Sequence, residues 1–287
     1  MPAPTPAQPN TLVQDLIEAG IHFGQKSSNW NPKMAPFIWG KKNGIHIIDI
    51  KETVKGLLLA KKFIARVVAD GKDVCFVGTK RQARAVLQQR VGDVKMHYCI
   101  ERWLGGTLTN FRTIRSRLKR LDELDAIEQK DNYSSYSKKM ESQLRREQSK
   151  IKRNLEGIRH MDKLPGCVVV IDVRKELNAL NEARKLGIPT VCLIDSDGDP
   201  DLADIPIPGN DDSMRSIDVI VRELCLAIAD GKNARAAKAE GGNAPAGDGS
   251  AGDNGPRRSR RAQYRSDEPA ADATPAGAEP AAAGNKA

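Results

Sequence analysis

The stretch GCVVVIDVRKELNALNEARKLGIPTVCLID, residues 166–195, decides the fold. Its two ends, "GCVVVIDV" (166–173) and "IPTVCLID" (188–195), are short, β-branched and too uniformly apolar to have one wet face. Such runs belong to strands covered on both sides. Between them residues 175–186 carry helical spacing, with Leu177, Leu180, Ala183 and Leu186 on one stripe. Strand, helix and strand in so short a span predict a right-handed crossover between parallel neighbours.

The same alternation extends outward. "GIHIIDI" (44–50), "KDVCFVG" (72–78) and "VKMHYCI" (94–100) read as further strands, and 51–69, 80–91 and 212–229 as helices. The expected architecture is α/β, a parallel sheet with helices on both faces. One insertion breaks the pattern. From Phe111 to about Met161 no strand signal occurs, only two helical stretches around "DNYSSYS" (131–137). Ile114, Leu118, Leu121, Leu124 and Ile127 form a stripe in the first, and Met140, Leu144, Ile151, Leu155 and Ile158 in the second. Two charged rods with narrow apolar seams bury them against each other as an antiparallel helical hairpin, a coiled-coil arm of on the order of 30 Å. The expected organisation is therefore a disordered N-terminus (1–10), a sheet domain (11–110 and 162–230), the hairpin (111–161) and a tail (231–287). That tail is rich in Ala, Gly and Pro, too poor in large apolar groups to fold. Its arginines around Tyr264 are suited to a phosphate backbone or to simple solvation.

The 46 Lys and Arg against 37 Asp and Glu give a net charge of +9 and favour an acidic partner. Between residues 111 and 160 fourteen basic residues face eight acidic ones, so the arm itself is basic. Five scattered cysteines without a C-x-x-C pair read as small buried hydrophobes of a reducing cytoplasm, not as a disulfide frame. Neither a secretory leader nor a run of 18 apolar residues is visible, so no membrane partner is expected.

Candidate chemistry is sparse. "VGTKRQAR" (77–84) ends a strand at Gly78, offers Thr79 as an N-cap and sets Lys80, Arg81 and Arg84 on a helix, an anion site or an ordinary basic turn. It lacks the second glycine of a Walker A loop. "DSDGDPD" (195–201) fails as an EF-hand loop and reads as a two-carboxylate Mg²⁺ site or as a self-capping acidic turn. The four histidines lack metal-ligand spacing, and no G-x-S-x-G elbow is present, so neither a metal nor a cofactor is assigned. "AGIHFGQKSSNWNPKMAPFIWGKKNGIHIID" (19–49) interleaves rings with lysines, which suits RNA, although Phe37, Ile38 and Trp39 serve equally as plugs on a sheet edge. In "ERWLGGTLTNFRTIRSRLKRL" (101–121), Gly105-Gly106 lacks the Lys-Ser/Thr ending of a phosphate loop, and a long basic helix follows.

Six motifs carry a resemblance. "AGIHFGQKSSNWNPKMAPFIWGKKNGIHIIDI", "FVGTKRQA", "RWLGGTLTNFRTI", "LPGCVVVIDV", "ARKLGIPTVCLIDSDGDPD" and "IPIPGNDDSMRSI" stand in the order and spacing of the bacterial-type small-subunit ribosomal protein two family. The sequence resembles that family over about residues 11–230. The resemblance implies a flavodoxin-like parallel sheet with an inserted hairpin. It implies a structural constituent of the small ribosomal subunit, a monomer in the cytoplasmic ribosome between head and body. Such a constituent binds 16S ribosomal RNA, helps to anchor the multi-OB-fold ribosomal protein one and is not an enzyme. Many relatives have His where Gln25 stands, which leaves any role of that second imidazole without a counterpart here. On this reading the RNA-binding candidates are Lys26, Trp30, Lys33, Lys80, Arg81, Arg102, Trp103, Arg112, Arg115, Arg117, Lys119 and Arg120. Trp103 stacks on a base or wedges its loop against the domain. The alternative is an α/β enzyme holding a nucleotide and Mg²⁺ at the carboxyl ends of its strands, with Gly78-Thr79 and Asp195–Asp199.

Overall fold

A helix at the start of the chain, α1 (Pro9–Ala19), leads into three short strands, β1 (Phe23–Lys26), β2 (Ile38–Lys42) and β3 (Ile45–Ile48). Five more strands follow: β4 (Val74–Val77), β5 (His97–Cys99), β6 (Cys167–Ile171), β7 (Thr190–Ile194) and β8 (Ile205–Pro208). Between and after them run α2 (Ile50–Ala69), α3 (Arg81–Asp93), α4 (Phe111–Asp131), α5 (Lys138–Leu155), α6 (Leu177–Lys185) and α7 (Met214–Gly241). This computed structural model describes residues 9–241 except 132, 134 and 135. The tail arginines and Tyr264 lie outside the described residues. Among those described, no helix is long and apolar enough to cross a membrane.

The strands β4 to β8 form one parallel sheet in the order β5-β4-β6-β7-β8. Counted among themselves that is 2-1-3-4-5, the flavodoxin-like order. Alternate side chains of each strand enter two separate cores, as the period of two requires. Val74, Phe76, Val169, Ile171, Val191 and Leu193 pack beneath α1, α2, α3 and α7. Cys75, Val77, Val168, Val170, Cys192 and Ile194 pack beneath α6, the first turns of α4, the end of α5 and the Trp103 loop. All five cysteines are free and buried, and burial pushes the Cys99, Cys167 and Cys225 thiols up to about 12. At Gly56 an added Cβ would meet the Pro206 carbonyl oxygen, so α2 lies directly on the β8 backbone.

Several expectations are corrected. "GIHIIDI" is a strand, but β3 belongs to a separate antiparallel sheet of order β1-β3-β2. Asn43-Gly44 between β2 and β3, with φ 51° and 78°, is the cause: two positive φ values close a two-residue hairpin. "IPIP" (205–208), not among the expected strands, forms β8, where prolines are tolerated because the strand lies at the sheet edge and one row of amides needs no partner. On α6 the buried residues are Ala179, Leu180, Glu182 and Ala183, whereas Leu177 and Leu186 of the expected stripe are exposed. The last helix continues to Gly241, past the composition boundary at 231. Helix α1 likewise begins at Pro9, inside the segment expected to be disordered.

Helices α4 and α5 pack together, with Glu128 of α4 on Gln148 of α5, and Arg115 and Asp122 of α4 hold Asp162 and Arg159 in the segment that follows α5. Their roots are not an appendage. Ile114, Leu118, Leu155, Ile158 and Met161 share the core beneath β4 and β6. With only nine residues, α6 spans about 13 Å and leaves part of that sheet face for α4 and α5 to cover.

Candidate nucleic-acid interface

The chain leaves the sheet for α4 through Glu101–Asn110. Its turn is organised by one carboxylate from α6. Glu182 Oε1 accepts from Trp103 Nε1 at 3.1 Å and from the Gly106 amide at 2.8 Å. Glu182 Oε2 accepts from the Leu108 and Thr109 amides at 3.0 and 3.2 Å and from Thr109 Oγ1 at 3.3 Å. Burial alone would raise this carboxyl, but the amides and the indole outweigh it and hold it below the usual glutamate value. Trp103 is 7% exposed, so of its two readings the wedge is the one realised; its ring is not offered to a base. Sequence reasoning missed Glu182. The one signal was an acid set beside Ala179 and Ala183 on a helix face that otherwise reads as apolar.

Of the two glycines, only Gly106 has a positive φ, at 89°; an added Cβ at Gly105 would touch nothing within 4 Å. Gly106→Ala is expected to cost about 1–2 kcal/mol through left-handed strain, while Gly105→Ala leaves stability within about 0.5 kcal/mol. Urea midpoints of the two variants check this, and equal losses would refute it.

Asn110 follows, its carbonyl accepting from the Thr113 and Ile114 amides as α4 begins. On the first turns Arg112, Arg115 and Lys119 line a cleft of about 500 Å³ with Phe111, Ser116 and Asp162. Arg112 and Lys119 are exposed and, like Arg117 beside α5, form no ion pair among the described residues. Arg115 is held by Asp162 at 2.8 Å, and Arg120 by Glu123 at 2.9 Å and Glu147 at 3.7 Å. Arg102 and Arg81 are exposed. The structure thus brings the α4 candidates onto one root and leaves the rest elsewhere.

The carboxyl ends of the strands look different from the expected anion site. The N-cap position of α3 is Lys80, without a side-chain cap. Thr79 instead donates its amide to Glu176 Oε1 at 2.9 Å and its hydroxyl to the same oxygen. Glu176 is 2% exposed, so this carboxylate fills the β4/β6 crevice where a flavodoxin-like sheet would take a phosphate. Gly78 serves packing: a Cβ there would lie 2.8 Å from Leu87 Cδ1. Lys80 is not free for RNA. Its ammonium lies 2.7 Å from Asp211, 2.6 Å from Asp212 and 3.5 Å from Asp172.

The expected carboxylate series also divides. Asp197 binds Arg174, and Asp199 and Asp201 bind Lys33, so Lys33 is engaged. Only Asp195 turns inward, where Asp195, Asp211 and Asp212 each place an oxygen within 4.8 Å of the others. Those three could hold a cation; Lys80 pairs with Asp211 and Asp212, and Gln25 Nε2 donates to Asp195 at 3.3 Å. Burial pushes Asp195 up to about 6. Trp30 is half-buried against the His46 ring, 4.9 Å between centroids, and Lys26 is exposed.

The family model described as ribosomal protein S2 matches residues 16–231. A relative in Rhodopirellula baltica, small ribosomal subunit protein uS2, is 54% identical over 230 residues, 80% of this chain and 88% of the relative. Protein uS2c of Rhodomonas salina is 46% identical over 78% of this chain and 93% of its own length. Protein uS2 of Picosynechococcus is 44% identical over 81% and 91%.

Proposed function

The chain belongs to the ribosomal protein S2 family and is a structural constituent of the small ribosomal subunit, not an enzyme, and we propose that it grips 16S ribosomal RNA with the basic root of α4. The observation that carries this reading is Arg112, Arg117 and Lys119, exposed on the opening turns of a helix whose direction Glu182 sets. Guanidinium and ammonium groups without carboxylate partners are free to replace counterions on phosphate. Arg115 and Arg120 exchange weak exposed ion pairs for RNA at little cost. The cytoplasmic ribosome is the setting, between head and body of the subunit, as the family resemblance implies. The same resemblance supports a further contact, with ribosomal protein one, which a pull-down of purified ribosomal protein one on reconstituted subunits tests.

Replacing Arg112, Arg117 and Lys119 together by glutamate is expected to shift the protein from the small-subunit peak of a sucrose gradient to the top. Their alanine counterparts are expected to lower the salt slope of 16S RNA binding by ~2 to 3, at ~0.9 per phosphate contact. Normal sedimentation with an unchanged slope would sink the assignment. The enzyme reading loses its ground because Glu176 occupies the nucleotide crevice.

A further inference from the structure

Leu58 and Leu59, adjacent residues of α2, are 47% and 53% exposed. The fold does not ask for them. Helix α2 buries Thr53, Gly56, Leu57, Ala60 and Ile64, and Gly56 sets it directly on the β8 backbone, so of the run Leu57-Leu58-Leu59 only Leu57 serves the core. Half-buried Val54 lies one turn before Leu58, and half-buried Phe63 one turn after Leu59. The four make one apolar patch across the middle of the wet face, where a surface helix ordinarily carries polar groups.

Positive charge flanks that patch at both ends. Lys51 and Lys55 precede it, and Lys62 and Arg66 follow it, all four exposed over about 22 Å of helix. Residues 51–66 contain five bases and one acid, Glu52. Lys61 is held by Glu223 at 2.7 Å and Lys55 by Glu52 at 3.2 Å, whereas Lys51, Lys62 and Arg66 form no ion pair among the described residues. An apolar centre with a charged rim is the anatomy of a protein contact. Helix α2 also covers the opposite face of the sheet from the α4 root, so whatever binds here is separate from RNA held at that root.

We propose that this face of α2 docks an acidic amphipathic helix of a neighbouring protein, its apolar side chains on Leu58 and Leu59 and its carboxylates on Lys51, Lys55, Lys62 and Arg66. Charge complementarity selects the occupant: a basic segment is repelled by the four cations, and a neutral one leaves three of them unanswered. A nucleic-acid backbone would meet the cations, yet it has nothing with which to cover two leucines that the fold itself does not require. The contact is independent of the α4 reading and lies beyond it.

The test titrates the full chain with a fluorescein-labelled sixteen-residue peptide that carries leucines on one helical face and glutamates on the other, read by anisotropy. Wild type is expected to bind it, and not its counterpart with lysine in place of glutamate. Leu58→Gln with Leu59→Gln should lose about tenfold or more in affinity through the missing apolar anchor, while keeping the wild-type urea midpoint. Lys55→Glu with Lys62→Glu should reverse the preference, toward the lysine peptide. In whole small subunits, Leu59→p-benzoylphenylalanine is expected on irradiation to crosslink to a protein segment with more carboxylates than amines, and to lose that crosslink when Lys55→Glu and Lys62→Glu are added. No peptide binding by wild type, equal affinity in the leucine variant, a crosslink to RNA or no crosslink at all overturns the proposal. Failure of the α4 reading is distinguishable: glutamate variants of Arg112, Arg117 and Lys119 would then sediment normally, while peptide binding at α2 stays intact.

Discussion

Lys80→Ala is expected to destabilise the fold by about 3–5 kcal/mol at pH 8, the cost of stranding buried carboxylates without their cation, and by clearly less at pH 5. Lys80 is 13% exposed and Asp211 3%, so the pair is shielded from solvent screening. Burial would lower the Lys80 ammonium, but Asp211, Asp212 and Asp172 outweigh it and hold it above the usual lysine value. Its contribution is therefore complete below the unfolded value of 10.5 and is lost only as pH rises through the higher folded one. The Asp211 carboxyl is raised as well. Burial and Asp172 push it from 3.8 up to about 8 against the pull of Lys80. Between those values the folded state holds a proton that the unfolded state has released, so stability falls as pH rises through that window. In Lys80→Ala the carboxyls take up protons at pH 5 and lose little, whereas at pH 8 one or more remain ionised and uncompensated. Urea unfolding at the two pH values measures the difference. Equal losses at both would show that the ammonium does not balance this cluster.

Glu182→Ala comes second, at about 3–5 kcal/mol, since it removes one buried charge and leaves several inward donors without an acceptor. Glu182 is 8% exposed, and its five donors all belong to residues 103–109. Glu182→Gln retains one oxygen acceptor and is expected to lose roughly half as much. Because the folded carboxyl lies below its ordinary value of 4.5, its contribution is present above that pH and is lost as pH falls through the folded value. Glu182→Gln should accordingly flatten the acid limb of the stability profile. Limited proteolysis adds a local readout: cleavage within 103–109 should rise in both variants. A variant as stable as wild type and uncut in this loop would remove Glu182 from its organising role.

Local chemistry was legible at the level of strands. "CVVVI" and "TVCLI" form β6 and β7 because a run apolar on both faces has nowhere to go but the centre of a covered sheet. The basic stripe of α4 was equally readable, since Arg112, Arg115 and Lys119 recur at helical spacing whatever the helix packs on. Asn43-Gly44 carried its hairpin signal in plain view, and "IPIP" hid a strand because prolines mark edges as well as turns.

By itself, then, the sequence determined the α/β class, the two helices of the insertion and the excess of positive charge along them, all properties of neighbours within a few residues. Only the tertiary structure decided which of those charges are free. Lys80 and Lys33 are spent on aspartates more than a hundred residues away, Trp103 turns inward to Glu182, and Trp39 stands clear of the fold. The reason is physical: exposure and ion pairing depend on which distant segment arrives beside a side chain, and periodicity along the chain carries no record of that.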